Sequence, residues 1–430
     1  MGYSFSRYVY KAEDGEGVIL YSLRNGALVM LEKDEYESVC ACLSDGEQKS
    51  EVFVHLLMRG FLVEKGSDEA SEVLIEHYRA VEQSETLHLT IYLTEECNFC
   101  CEYCFVRKHG RAMTDDVFEG VYRMIEERID DYKSVHISWF GGEPLMRIET
   151  LTCYNLKIAE LCAKKRKGFK NTLVTNGFLL TLENFGRLYD SFIRDIQVTF
   201  DGTKENHNRY RYDSNGGSFD TIFTNLRKIQ KSAYSDCIIK VRCNFADDRD
   251  TETVSEFISQ YNKYFLRDGR FGLAIKPVVN YDELDKSKLA VSYQGKADII
   301  CRILKDHPEH RDMLLELIRP RKYWCNVLCS SSYVISAVGE IYMCDSVINM
   351  PSFRSGRIVA DRKAVMDESA VTLPDAISEN CRKCRRLPIC FGSCTRILMT
   401  AERHACSITD RDIKQLLRNY ILLENEVIKP

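Results

Sequence analysis

From residue 87 to about residue 280, short apolar runs alternate with stretches whose apolar residues recur at helical spacing. The runs predict strands at Leu87–Leu93, Val135–Phe140, Thr172–Thr175, Ile196–Phe200, Ile238–Phe245 and Phe271–Val278. Each interval between them is long enough for a helix, so the pattern predicts an α/β fold of repeated βα units. Residues 1–86 follow another pattern. Tyr8–Tyr10, Val18–Tyr21 and Ala27–Leu31 predict short strands, with Asn25-Gly26 as the turn between the last two. Lys33–Leu43 and Glu51–Arg59 predict helices, and Phe61-Leu62-Val63 a further strand. Residues 281–322 are charged and helical, a connector, and 411–430 predict a C-terminal helix.

The predicted strand ends carry the chemistry. The first strand is followed by Cys97-Asn98-Phe99-Cys100-Cys101-Glu102-Tyr103-Cys104, which contains Cys-x3-Cys-x2-Cys at Cys97, Cys101 and Cys104. Three thiolates on one short loop can hold three irons of a four-iron cluster and leave the fourth open to a ligand. Cys100 also allows two overlapping Cys-x2-Cys pairs, a pattern that suits zinc. Gly141-Gly142-Glu143-Pro144 follows the second predicted strand. Paired glycines let a backbone approach a ligand closely, and a carboxylate suits an ammonium. Thr175-Asn176-Gly177 and Asp201-Gly202 end the third and fourth strands. Parallel α/β barrels place active sites at such C-terminal strand ends.

These motifs resemble those of the radical S-adenosylmethionine (SAM) enzymes. The resemblance implies an open partial (β/α)6 TIM-like barrel over residues 87–280. It implies a catalytic [4Fe-4S] cluster on Cys97, Cys101 and Cys104. The Gly141, Gly142, Glu143 and Pro144 segment then ends the second barrel strand, with Glu143 on the SAM amino group. Tyr103 stands where the family packs an aromatic ring on the adenine. Val198-Thr199-Phe200-Asp201-Gly202 and His207-Asn208-Arg209-Tyr210-Arg211 resemble the fourth-strand segment of the peptide-modifying branch. There a serine and an arginine reach the SAM carboxylate. Thr199 keeps the hydroxyl of that serine, and Arg211 is the candidate clamp, since a guanidinium matches a carboxylate bidentately. Asn176 and Asp201 are further candidates. His207 reads as a base or as a structural hydrogen-bonding residue.

A second cysteine array lies near the C-terminus. It runs Cys329, nine residues, Gly339, four residues, Cys344, then Cys381-x2-Cys384-x5-Cys390-x3-Cys394 and, after a gap, Cys406. This resembles the SPASM domain of peptide-modifying radical enzymes, here residues 323–410, and Cys325 adds an eighth thiol. The resemblance implies two auxiliary [4Fe-4S] clusters, one on Cys325, Cys329, Cys344 and Cys394, the other on Cys381, Cys384, Cys390 and Cys406. The other metal reading is two structural zinc sites. Gly339 suits a hairpin turn between Tyr333–Ser336 and Ile341–Met343. Asp345 follows Cys344, and in the related anaerobic sulfatase-maturating enzymes an aspartate there takes the substrate proton. The remaining eight cysteines, Cys100 excepted, mostly fall in apolar patterns and are expected in the core.

Composition narrows the classes further. The net charge of −5 and a pI near 6.1 give no nucleic-acid footprint. No apolar stretch reaches membrane-spanning length, and no signal peptide is expected. Nineteen cysteines in such a chain point to metal binding in a reducing cytoplasm rather than to disulfides. The expected setting is the cytoplasm of an anaerobic or low-oxygen bacterium or archaeon. Residues 1–86 hold 17 acidic and 8 basic residues, a formal −9. Their pattern resembles the winged-helix-like leader-recognition domain of peptide-modifying enzymes, which binds a leader peptide as an added strand. An acidic cap is the alternative.

The expected protein is thus a radical SAM peptide maturase. It would cleave SAM reductively to a 5′-deoxyadenosyl radical and abstract hydrogen from a ribosomally made precursor peptide. The product would be a thioether or carbon–carbon crosslink, and flavodoxin or ferredoxin the reductant. The alternatives are a sulfatase-maturating enzyme, which converts cysteine or serine to formylglycine, and a non-catalytic metal-binding scaffold.

Overall fold

The computed structural model describes residues 2–14, 17–45, 50–213, 216–246, 248–278, 295–359, 361–367, 377–392, 394–396 and 406–427. The chain divides into two compact units. One comprises Met1–Glu82, Ser292–Leu328 and Leu373–Pro430; the other comprises Gln83–Val291 and Cys329–Thr372. Residues 323–410 are therefore divided between the units.

The first unit opens with β1 (Tyr3–Phe5), followed by the meander β2 (Val9–Asp14), β3 (Gly17–Ser22) and β4 (Leu28–Glu32). Helices α1 (Lys33–Asp45) and α2 (Glu51–Met58), strand β5 (Leu62–Glu64) and helix α3 (Glu69–Glu82) come next. Ser50 caps α2 by accepting from Phe53 N. Val9, Val18, Leu20 and Leu31 of the sheet share a core with Val39, Phe53 and Leu56 of the helices. Each such side chain contributes about 1.5–3 kcal/mol by burial. The further strand expected at Phe61-Leu62-Val63 is β5, and it pairs antiparallel with β1, apart from the three-stranded sheet. Neither β1 nor α3 was legible in the sequence pattern. Later in the same unit come helices Lys296–Leu304 and Asp312–Glu316 and the C-terminal helix Asp410–Val427. The expected connector at 281–322 lies outside the described residues up to 294.

The second unit is the barrel. Strands β6 (Thr86–Thr94), β7 (Ser134–Gly141), β8 (Gly168–Thr175), β9 (Asp195–Phe200), β10 (Ile238–Phe245) and β11 (Phe271–Pro277) are parallel and neighbour one another in chain order. Between them run α4 (Asp115–Arg128), α5 (Ile148–Lys164), α6 (Leu182–Asp190), α7 (Lys204–Tyr210), α8 (Phe219–Gln230) and α9 (Thr251–Phe265). The sheet does not stop at β6. Strand β12 (Ser332–Ile335) pairs parallel to it, and β13 (Glu340–Tyr342), β14 (Gly356–Ile358) and β15 (Ala364–Met366) follow antiparallel. Among the described residues the result is one ten-stranded mixed sheet with β11 and β15 at its edges. Gly339 turns the β12–β13 hairpin at φ +83°, a conformation that favours glycine.

Strand β7 alternates strictly. On β7, Val135, Ile137 and Trp139 are fully buried while Ser134, His136, Ser138 and Phe140 take the other face. His88 of β6 and His136 pair edge-to-face on that second face, ring centroids 5.5 Å apart. Burial, reinforced by His136, pushes the His88 imidazole down from 6.5 to about 4. A depressed folded value means that the unfolded chain binds more protons between these limits. The stabilisation is complete above pH 6.5 and is lost as pH falls towards about 4. Thermal melts are expected to drop over that window, and less steeply for His88→Gln. An unchanged slope in the variant would assign the acid sensitivity elsewhere.

Of the cysteines expected in the core, Cys162, Cys237, Cys243 and Cys301 are buried. Cys40 and Cys42 are half-buried, and Cys153 is exposed on α5. No helix among the described residues is long and apolar enough to cross a membrane.

Candidate active site

The cysteine loop is closed at its base. Arg111 Nε and Nη2 donate to Glu95 Oε2 (2.6 Å) and Oε1 (2.7 Å), and Glu95 N donates to Arg111 O (2.8 Å). Two neighbours hold the loop from the side. Phe99 bridges to Asp213, and Cys100 N donates to Tyr212 O (2.9 Å), which joins the loop to the backbone just after Arg211. From the end of β8, Asn176 Nδ2 donates to Asn98 Oδ1 (2.8 Å).

Cys97, Cys101 and Cys104 line one cavity of about 220 Å³ at the C-terminal strand ends. Tyr103, Gly141, Gly142, Asn176, Thr199 and Arg211 line it too. Glu143, Pro144 and Asp201 are buried and are not among its lining residues. Sequence reasoning missed Phe140, Val174, Gln197, Arg242 and Asn244, which also line it. Strand alternation is the signal that could have found them, since Gln197 and Thr199, and Arg242 and Asn244, are two apart on β9 and β10. Among the described residues, no three or more His, Cys, Asp or Glu side chains gather round a single metal-ion position. A four-iron cubane is held differently, with its thiolates on separate irons.

Tyr103 is the pivot of a buried network. Its hydroxyl donates to Asp201 Oδ2 (2.6 Å) and accepts from Arg211 Nη1 (2.9 Å) and Asn244 Nδ2 (3.3 Å). Burial raises the Asp201 carboxyl, and Arg211 and Tyr103 offset this only in part. Burial opposes the charge on Arg211, but Tyr103, Cys101 and Asp201 outweigh it and keep the guanidinium protonated. Asp201 Oδ1 and Arg211 Nε are buried without a hydrogen-bond partner among the described residues. His207 lies behind the network. It is fully buried, its Nδ1 accepts from Asp201 N (3.3 Å), and its Nε2 is 2.9 Å from Ser218 Oγ, which donates to Arg211 O (2.7 Å). Burial and the Arg211 charge push its imidazole well down, so it is neutral and ties Asp201 to Arg211.

Glu143 is fully buried. Its Oε1 accepts from Leu145 N (2.9 Å) and Thr175 Oγ1 (2.8 Å), and its Oε2 from Asn176 N (2.7 Å). Burial raises its carboxyl, and these donors oppose the rise. The steric demand for the two glycines is internal. A Cβ on Gly141 would lie 2.3 Å from Thr94 O, and one on Gly142 2.0 Å from Glu96 O. The segment packs on the root of the cysteine loop, with Gly142 N donating to Thr94 O and Glu143 N to Glu96 O, both at 2.8 Å.

Asp345 is exposed at the start of a short turn, its Oδ1 3.7 Å from Cys344 Sγ. The Tyr92 hydroxyl is buried, and burial, then the charges of Asp345, Cys104 and Cys344, push it well up. Cys329 and Cys344 belong to the barrel unit, and Cys325 and Cys394 to the other.

Cys381, Cys384, Cys390 and Cys406 all belong to the first unit. Burial, then the nearby Cys406 and Cys381, raise the Cys390 thiol. Ser378 Oγ donates to Cys381 Sγ (3.3 Å), and Arg386 N and Nε donate to Cys384 Sγ, both at 3.4 Å.

Residues 91–245 match the model of the Radical SAM superfamily, so the chain carries a radical SAM domain. SAM and a [4Fe-4S] cluster are the cofactors of that superfamily. The chain is homologous to anaerobic sulfatase-maturating enzymes. The cysteine-type enzyme of Clostridium perfringens is 25% identical over 349 residues, which cover 73% of this chain and 89% of that protein. The solved structure of anSMEcpe with bound AdoMet and Cp18Cys peptide has a TM-score of 0.60 at 21% identity, covering 80% of this chain and 99% of that one. Streptococcus suis SuiB bound to precursor peptide SuiA has a TM-score of 0.53 at 16% identity, covering 92% and 96%.

Proposed function

We propose that this chain is a radical SAM peptide maturase that installs a thioether or carbon–carbon crosslink in a ribosomally made precursor peptide. The observation that carries the reading is the three-thiol cavity beside the buried Tyr103–Asp201–Arg211 network. The extent of the fold likeness favours an enzyme that binds a precursor peptide. It reaches 92% of the chain for SuiB, which takes in much of residues 1–86, against 80% for anSMEcpe. In the first unit β4 is an edge strand among the described residues, and a leader peptide added there would be held by main-chain hydrogen bonds.

The residues present fit the superfamily's cofactors. Cys97, Cys101 and Cys104 supply thiolates, and Arg211, which lines the same cavity, keeps its buried Nε without a hydrogen-bond partner among the described residues. When bound, SAM and the cluster supply a 5′-deoxyadenosyl radical that removes hydrogen from the substrate. Cys97, Cys101 and Cys104 would hold that cluster, and Arg211 and Thr199 would take the SAM carboxylate. Asn176, Gly141 and Gly142 shape the wall where its amino group would lie, with Glu143 locked behind them. Tyr103 orients Arg211, and Asp201 balances its charge inside the protein. The eight C-terminal thiols would hold two auxiliary [4Fe-4S] clusters. Asp345 would accept the substrate proton at the solvent-facing side of Cys344.

Two outcomes check this. Tyr103→Phe removes only the hydroxyl that joins Asp201, Arg211 and Asn244. Leaving buried partners unsatisfied costs about 1–3 kcal/mol. SAM affinity, read by calorimetry, is expected to fall about tenfold to a hundredfold, and unchanged affinity would detach the network from the cofactor. The second outcome is the product itself. With reconstituted enzyme and the cognate peptide, mass spectrometry is expected to show a product lighter by two hydrogens, formed with 5′-deoxyadenosine. Homology to sulfatase maturases and the place of Asp345 keep a second reading. In that case a cysteine would lose sulfide and gain a carbonyl oxygen, which the same spectrum distinguishes.

A further inference from the structure

The segment that carries Cys381, Cys384, Cys390 and Cys406 is cationic in sequence. Residues 381–430 hold ten basic against five acidic residues, in a chain whose net charge is −5. Three of the basic residues form a stripe on the C-terminal helix. Arg411, Lys414 and Arg418 are exposed, recur at helical spacing, and line one cavity of about 510 Å³ with Asp298 and Asp410. None of the three forms an ion pair among the described residues.

Lys414 lies four residues after Asp410, a pairing that favours the helix, but the rest of the stripe does not serve helix stability. Arg411 and Lys414 lie towards the helix N-terminus, where the dipole disfavours cations. Lys414 and Arg418 are four residues apart, where like charges repel. The stripe is also connected to the thiols. Asp410 lines the cavity, and its Oδ1 lies 3.8 Å from Arg386 Nε. That same nitrogen donates to Cys384 Sγ at 3.4 Å. Arg386 Nη1 donates to Ile408 O (2.6 Å), two residues from Cys406. The cationic face is therefore only two contacts from the cysteine array.

We propose that Arg411, Lys414 and Arg418 form the docking surface for an acidic one-electron carrier protein, which exchanges electrons through the neighbouring four-cysteine site. Charge complementarity selects the acidic partner, and the Asp410–Arg386–Cys384 contacts select an electron carrier over an acidic peptide. The proposal rests on the radical-enzyme reading above. Bond closure by a substrate radical releases one electron and one proton. The oxidised carrier is reduced by that electron, and the proton passes to Asp345 and from it to solvent.

The test uses the reconstituted full chain and a flavodoxin. Its affinity for the wild type, read by calorimetry, is expected to weaken as salt is raised. R411E/K414E/R418E is expected to lose at least about tenfold in affinity. R411Q/K414Q/R418Q, which removes charge without adding repulsion, should lose less and controls for folding. SAM cleavage driven by dithionite, which needs no docking, should be unchanged in both. Wild-type flavodoxin affinity in both variants overturns the proposal. So does loss of affinity for the substrate peptide with flavodoxin binding intact, which would make the face a peptide site. Failure of the wild type to cleave SAM with dithionite would instead sink the radical-enzyme reading, and the flavodoxin affinities would still decide the docking surface.

Discussion

A Cys101→Ala variant is expected to form no 5′-deoxyadenosine above background, while Cys384→Ala still cleaves SAM and makes no crosslinked product. Cys101 lies between Cys97 and Cys104 on the cavity wall, in a loop closed by Glu95 and Arg111. Removing it leaves two thiols for a cluster that needs three. The loss should exceed the roughly 10–100-fold that an outer-shell partner is worth. Cys100 is one residue away, but its backbone N–H is tied to Tyr212 O and its side chain is exposed next to Lys108. It is therefore badly placed to substitute. Cys384 belongs to the other unit, so its loss should leave the cavity intact. Iron content separates the cases further, each variant losing about four irons per chain of about twelve. Equal loss of SAM cleavage in both variants, with both folded, would overturn this division of labour.

Gly142→Ala should be among the most damaging single-methyl substitutions in the barrel. The new Cβ would lie 2.0 Å from Glu96 O and 2.9 Å from Glu95 O. Neither atom is the end of a flexible side chain, so the backbone must move. Overpacking of this kind costs about 1–3 kcal/mol. The displaced atoms belong to the residues just before Cys97, so the iron-binding loop moves with them. A lowered melting temperature and reduced iron on reconstitution are expected together. Normal iron loading despite a lowered melting temperature would show that the loop is held by its other ties, at Asn98 and Tyr212.

Much of the barrel was legible because its signal is local. Ile238–Phe245 is read from the alternation of apolar and polar residues along eight positions, and the strand has those limits. The Asn25-Gly26 turn and the β12–β13 hairpin carry their own turn chemistry. The edge to which that hairpin pairs was not legible. Val334 faces Thr90 across more than two hundred residues, and no spacing encodes such a partner. The pairing of β5 was not legible for the same reason. Its apolar pattern was correct, but its partner is Tyr3–Phe5, a segment too short to show periodicity.

The candidate site divides along the same line. The sequence by itself determined the thiol spacings, the two glycines before Glu143 and the placing of these motifs at strand ends, because each is a relation between residues close in the chain. The tertiary structure alone decided that those glycines pack on Thr94 and Glu96, that Glu143 is locked behind the cavity wall, and that Tyr103 joins Asp201 to Arg211. It also brought in Arg242 and Asn244, and it placed Arg386 between Cys384 and Asp410. Hydrogen bonds, steric contact and burial act over a few ångströms in space, so residues tens to more than a hundred apart in the chain become partners only when the sheet and helices have packed.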